Sequence, residues 1–421
     1  MDVIAEKARD HVAPAVVEGL LSRSAEVEHG VDREPSPRDI VFQGGLSDFT
    51  ELFEERLWSD GLPVIPPTLD RVDQFLAHTN RSSEEILGTL APEHREATVW
   101  SVAVNGVMAG CRPEYMPILV AVVEAIADTA FRIQDGGSTP GWEPMMVLSG
   151  PIVKRLGFNS GPGLMRVGYR PNTSVGRFLR LYIRNIAGLR AWPGTTDKGS
   201  IGASFHVVMA EDDDATLGIG WVPTRVEDGF SLDDDVVTVR SVVAVSLPTY
   251  TGGSGPDGHL EELARMLSAS CGPWIGSGLI YRVFKPLLLL SPHVAGALAA
   301  GGLEKDDVRA YLHEHAKVKA AWLTAWAHHI GAGASDLPSL IAAGVAPPEY
   351  AESDDPERLV PSLLRPEWTT IVVAGDAARN QSRFYINNHA QGAPVSRRVT
   401  SPARQTRECA SAGSVEIGFR Y

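Results

Sequence analysis

Two apolar helical runs separated by a four-residue break constrain this chain more than any other feature. The stretch from Thr98 to Ala130 reads TVWSVAVNGVMAGCRPEYMPILVAVVEAIADTA. The break is Gly110-Cys111-Arg112-Pro113, with Glu114 directly after it. Pro113 and Pro117 both suit the first turn of the second helix, where proline gives up only an amide that has no helical partner. Cys111 therefore falls within a few residues of a helix N-terminus, beside the fixed charge of Arg112. Both neighbours lower a thiol's pKa, and a thiol reacts as thiolate. Glu114 either pairs with Arg112 or serves as acid/base. The plainer alternative is a structural cysteine in an interhelical turn, because free cysteine is among the most buried residue types. Asn105, on the first run, joins the substrate-binding candidates.

The segment from Pro151 to Arg190 carries Lys154, Arg155, Arg166, Arg170, Arg177, Arg180, Arg184 and Arg190, and no acidic residue. In a chain of formal net charge −14 this is a local reversal. Asn172 is placed to cap a helix running through Asn185, with Gly188 closing it. Arg166 and Arg170 precede that helix, where backbone N–H groups favour anions. Arg166, Arg170, Asn172 and Arg177 are thus the expected clamp for a carboxylate or phosphate, with arginine suited to bidentate pairing. The alternative is a solvated basic face paired with the acidic loops Glu211–Asp214 and Asp233–Asp235.

Helical and strand patterns alternate along the chain. Helices are expected over Phe49–Trp58 and from Leu69 to Leu76. Strands are expected at Met145–Leu148, Ala203–Met209 and Val236–Val245, from their β-branched and apolar runs. The second half echoes the first: Pro286–Val294 resembles Pro144–Val153, and Thr370–Ala374 then mirrors Ala203–Met209. The fold class is α/β, with two similar α/β units related by a possible pseudo-twofold. Ser149 and Ser291 would lie at equivalent strand ends, where open α/β sheets place ligands. They join the binding candidates together with His293. Residues Asp2–Leu21 form an amphipathic helix and Ser22–Asp39 a Pro-containing linker. The expected division is a helical arm and linker over 1–45, α/β units over 46–250 and 251–395, and a loose tail over 396–421.

The acidic balance excludes whole-surface nucleic-acid binding. Three cysteines with no CxxC pair make no disulfide framework and fit a reducing cytoplasm. The start Met1-Asp2-Val3 lacks a signal-peptide pattern, and the apolar runs are too short to span a bilayer, so no membrane association is expected. Gly161-x-Gly163 does not continue into a dinucleotide fingerprint and no Walker motif occurs, so no cofactor is expected. His313-Glu314-His315 and His328-His329 contain no HExxH, and no metal centre is expected; a metal-dependent hydrolase using them ranks third. Trp322 and Trp326, at helical spacing, read as core.

The run Asp60-Gly61-Leu62-Pro63-Val64-Ile65-Pro66-Pro67-Thr68, the segment Asn105–Tyr115 and the region through Asn185 resemble a bacterial family associated with the UGSC-type selenoproteins. That group is named for a selenocysteine-Gly-Ser-Cys motif. The likeness runs from about Leu46 to Val399 and takes in Ser291–Ala295 and Asp307–Leu312, with Gly110–Tyr115 its most specific part. It implies a thiol or redox role, because relatives are associated with a selenocysteine-bearing domain that looks like a reductase module. That domain is absent from this sequence, so the resemblance implies a redox partner protein or different chemistry at Cys111. Relatives carry a Gly-rich turn with a His-Ser pair near the C-terminus. Here Gly375–Ser382 has no histidine, and a role for that loop does not carry over.

The expected function is an intracellular, homo-oligomeric enzyme acting on a small anionic metabolite. Cys111, Arg112 and Glu114 would reduce or cleave a carbon–heteroatom bond. The second hypothesis is a non-catalytic subunit that presents a ligand to a redox partner.

Overall fold

The computed structural model describes residues 10, 12–14, 36–138, 140–190, 204–252, 255–271, 284–329, 337–344, 346, 348–363, 365–388 and 390–402. The expected N-terminal helical arm lies outside them, apart from four residues, as do Cys409 and the tail beyond Pro402. Residues Met1–Gln43 and Gly44–Tyr421 separate into two compact units, and among the described residues every strand belongs to the second.

In chain order the elements of that second unit are α1 (Leu46–Glu55), α2 (Leu69–Leu76), β1 (Ile86–Leu90), β2 (Arg95–Thr98), α3 (Val99–Met108), α4 (Met116–Ala127), β3 (Glu143–Ser149), α5 (Ile152–Arg155), α6 (Arg170–Tyr182), β4 (Met209–Ala210), α7 (Asp213–Gly218), α8 (Thr224–Glu227), β5 (Val236–Val242), β6 (Ala244–Val245) and β7 (Thr249–Tyr250). There follow α9 (Pro256–Cys271), β8 (Leu287–Leu290), α10 (Pro292–Ala300), α11 (Lys305–His315), β9 (Lys317–Lys319), α12 (Ala320–His329), α13 (Leu337–Ala342), β10 (Leu359–Pro361), β11 (Thr370–Val373), β12 (Gln381–Ile386) and β13 (Val395–Arg398). The fold is α/β with mixed sheets.

The two main sheets share one plan. In the first, β3 has β4 parallel on one side and β5 antiparallel on the other, with β13 antiparallel beyond β5. In the second, β8 has β11 parallel on one side and β12 antiparallel on the other, with β6 and β7 antiparallel beyond β12. Each sheet takes its outermost strand from the other part of the chain. Strands β6 and β7 precede residue 251 yet pair in the second sheet, while β13 pairs in the first, so the sheets cross the expected division at 250.

Alternation along the strands puts the sheets face to face. Met145, Val147, Met209 and Val242 from the first pack with Leu287, Val372 and Tyr385 from the second. The intervening residues of the second sheet (Leu288, Leu290, Ile371, Val373, Phe384 and Ile386) pack on Leu263 and Leu267 of α9, Val294 and Leu298 of α10, and Leu312 of α11. On the far side α4 lies on β5 and β13, and α6 on β3. The architecture is four layers: helices, sheet, sheet, helices. Strands buried on both faces need continuous apolar sequence, which is what Met145–Leu148 and Leu287–Leu290 provide; in β5 the valines are interrupted by Thr238, Arg240 and Ser241.

Four expectations need correction. The strand predicted over Ala203–Met209 pairs only at Met209–Ala210, because Val208 gives its N–H to the Asn172 carbonyl of α6 (3.0 Å). The run Val236–Val245 is broken at Val243, whose N–H goes to Ile386 (2.8 Å), so the chain leaves one sheet for the other there. The tail expected to be loose from Ser396 begins instead as strand β13 on β5, through Arg398. Trp322 is 42% exposed and is not core; the side chain of Trp326 lies outside the described residues. No helix among the described residues is long and apolar enough to cross a membrane.

Candidate functional site

The Cys111 turn has the predicted local form. Helix α3 ends at Met108, Gly110 takes a left-handed φ of 79°, and Pro113–Tyr115 make a 3₁₀ turn leading into α4. Glycine at that position avoids the Cβ penalty of the left-handed region. The electrostatics differ from expectation. Cys111 is buried and unpaired. Burial pushes its thiol up to about 12, against the opposing pull of Ser174, Arg170 and Arg177. Arg112 does not lower it: its guanidinium reaches into solvent, where it stands 3.8 Å from Glu114, with 53% and 39% of the two side chains exposed. The groups acting on the buried thiol come instead from α6: Ser174, which bonds it, and the charges of Arg170 and Arg177.

Most of the expected anion clamp is committed elsewhere. Asn172 is the third residue of α6, not its cap, because Pro171 suits the first helical turn and starts the helix earlier. Fully buried, its side chain accepts from Asn159 N–H (2.8 Å) and donates to the carbonyls of Asn159 and Val208 (3.0 Å each). Arg177 forms a bidentate pair with Asp60 (2.9 and 2.8 Å) and also donates to the Pro63 carbonyl (3.0 Å), fastening the Asp60–Thr68 run to α6. Burial works to raise the Asp60 carboxyl, but the Arg177 bonds and charge outweigh it and hold it below the usual range. Arg180 pairs with Glu143 (3.2 Å), and Lys154 and Arg155 pair with Asp214 and Asp235. Those last two pairs join the basic segment to the acidic loops. Arg170 donates to the Gly110 carbonyl (3.2 Å) beside the cysteine turn. Asn105 is buried, donates to Ser101 and accepts from Asn185 (2.9 Å each), tying α3 to the residues after α6.

The two strand-end serines meet different surroundings. Ser149 lies in a closed polar network: its hydroxyl donates to Glu211 (2.6 Å) and accepts from Arg225 (2.9 Å). Glu211 also accepts from the N–H and hydroxyl of Thr224 (3.1 and 2.7 Å), and Arg225 holds Asp213 bidentately (2.7 and 2.8 Å). Burial raises the Glu211 pKa, against Lys305 and its hydroxyl donors. Ser291 caps α10 by accepting from Val294 N–H (3.4 Å) and donates to the Arg379 carbonyl (2.5 Å).

Beside Ser291 the strand ends are open. A cleft of about 550 Å³ lies at the carboxyl ends of parallel strands β8 and β11, lined by Arg166, Ser291, Asp376, Arg379, Arg383 and Tyr385 among others. Arg166 reaches it because Gly375 N–H bonds the Ser160 carbonyl (2.7 Å) and so draws the Gly157–Gly168 loop across the strand ends. Arg379 stands 3.8 Å from Asp376. Among the described residues neither Arg166 nor Arg383 forms an ion pair with a carboxylate. Burial pushes the Tyr385 hydroxyl up to about 12, leaving a protonated donor. His293 is exposed on α10 and does not line the cleft, nor do Cys111, Arg112 and Glu114.

Sequence reading thus found Arg166 and Ser291 and missed Asp376, Arg379, Arg383 and Tyr385. One signal was available: in Gln381–Ile386, Arg383 alternates with the buried Ser382 and Phe384, which puts a cation on the inner face of a core strand.

Among the described residues His313 and His315 do not converge on a common site. His313 bonds the Leu363 carbonyl (2.9 Å) and His315 stacks on Tyr311, while the side chains of His328 and His329 lie outside the described residues. Among the described residues no three His, Cys, Asp or Glu side chains are grouped to hold a metal. Comparison with protein-family models, curated proteins and solved structures found no match.

Proposed function

We propose that this chain binds a small anionic molecule in the cleft at the carboxyl ends of β8 and β11. The observation that carries this reading is the pair Arg166 and Arg383, two guanidinium groups lining one cleft with no carboxylate partner among the described residues. An arginine's fork matches carboxylate and phosphate oxygens bidentately. Tyr385 adds a neutral donor, and Asp376 would be the acid/base group of any proton transfer there. Strand ends are also where open α/β sheets gather ligands. The matching plan of the two sheets supports two related α/β units, one with its strand end filled by Glu211 and Arg225 and the other open.

This arrangement favours the ligand-binding reading over thiol chemistry, since the buried Cys111 is outside the lining. A redox partner would then receive or supply the bound molecule. Calorimetric titration with inorganic phosphate, malonate and succinate tests the proposal. Saturable, salt-sensitive binding is expected, weakened about tenfold or more by Arg166→Ala or Arg383→Ala, as for loss of a charge-assisted bond. No binding, or undiminished binding by a folded double variant, overturns it.

A further inference from the structure

A second cavity, of about 500 Å³, continues from the arginine cleft. The two share Met165, Arg383 and Tyr385. Their chemistry differs. The first holds Arg166, Arg379 and Asp376; in the second Arg383 is the lone charged side chain among the described lining residues, and Val167, Phe205, Val207 and Val245 make its walls. His206 also lines it, and burial lowers its pKa against the opposing charge of Asp60, with Arg180 and Arg177 adding to the lowering.

The apolar wall is held in place. Gly176 lets α6 approach so closely that an added Cβ would stand 2.4 Å from the His206 carbonyl group. The Asn172 and Val208 bonds pin the next residues. Phe205 meets Tyr385 edge-on at 6.3 Å between ring centres. Arg383 therefore stands at a junction, with the charged lining of the first cleft on one side and an aromatic and aliphatic surface on the other.

Resting on the anion-binding reading, we infer that the ligand is an amphiphilic acid, with an anionic group at Arg166 and Arg383 and an alkyl or aryl tail along Phe205, Val207 and Val245. A ligand with no tail would leave that apolar wall in water. A neutral apolar ligand would leave two guanidinium groups unmatched.

Titration of the full chain with acetate, butyrate, hexanoate and octanoate tests the inference. Affinity is expected to rise up to about fourfold per added methylene, the equivalent of ~0.8 kcal/mol for each buried CH₂. Phe205→Ala should flatten that gradient. So should Val167→Asp, which places a charge at the cavity wall on a residue too exposed to endanger folding. Binding of short acids with no gradient, or a gradient unchanged in both variants, overturns the amphiphile and leaves the anion site standing. Failure of every member to bind overturns the amphiphile, and overturns the anion site as well when phosphate, malonate and succinate also fail to bind.

Discussion

At the residue scale, burial decides what a side chain can do. Cys111 has the neighbours expected of a reactive thiol, yet desolvation dominates and raises its pKa to about 12. Native Cys111 should therefore react with iodoacetamide at pH 7.5 at least about a hundredfold more slowly than in the urea-unfolded chain. Peptide mapping separates it from Cys271 and Cys409, and equal rates would restore the thiol mechanism. Gly176 is the second such position. An alanine there gains ~1 kcal/mol of helix propensity, but its Cβ would meet backbone atoms of His206 and Val207 at 2.4–2.6 Å. Backbone cannot swing aside as a flexible side chain can. Gly176→Ala should be net destabilising by about 1–3 kcal/mol in urea denaturation; a neutral or stabilising result would mean that α6 can move away.

At the element scale, arginines expected to hold a ligand instead hold elements together. The Arg177–Asp60 pair joins α6 to the Asp60–Thr68 run, with 17% and 7% of the side chains exposed. Removing one partner strands the other, so Arg177→Ala should cost about 3–5 kcal/mol at pH 7. The sign of its pH dependence follows from Asp60, whose pKa is lowered by folding. Its contribution is complete above the unfolded value near ~3.9 and is lost as pH falls through the lower folded value. The gap in stability between wild type and Arg177→Ala should shrink on acidification through that window; a gap independent of pH would show that the pair does not carry it. Some helix boundaries were legible because local patterns set them: α2 spans Leu69–Leu76, and Gly188 closes the run after α6 in a left-handed conformation (φ 78°), whereas α1 lies at Leu46–Glu55 and not at the expected Phe49–Trp58. Asn172 departs from expectation because a cap and a buried tether use the same side-chain chemistry, and only Asn159 and Val208, brought alongside by folding, distinguish them.

At the scale of the whole molecule, the crossing strands make the two sheets interdependent. A fragment of residues 44–250 would keep β3, β4 and β5 but lose β13, and would expose Met145, Val147 and Val242, which the second sheet covers. Expressed alone it should lack a cooperative thermal transition, whereas the full chain should melt its two sheets together. Independent, cooperative folding of that fragment would contradict the interlocked arrangement. The cleft belongs to this scale too. Arg166 and Arg383 come from distant parts of the sequence, and they face one space only because the Gly157–Gly168 loop crosses the ends of the second sheet.

By itself the sequence determined the helical pair around Cys111, the buried strands and the α/β class, because apolar periodicity and turn residues act over a few neighbouring positions. The tertiary structure alone decided that the cysteine is sealed, that Arg177 is a brace, and that Arg166 and Arg383 face a common cleft. Those outcomes depend on desolvation and on partners far away along the chain, which no local pattern encodes.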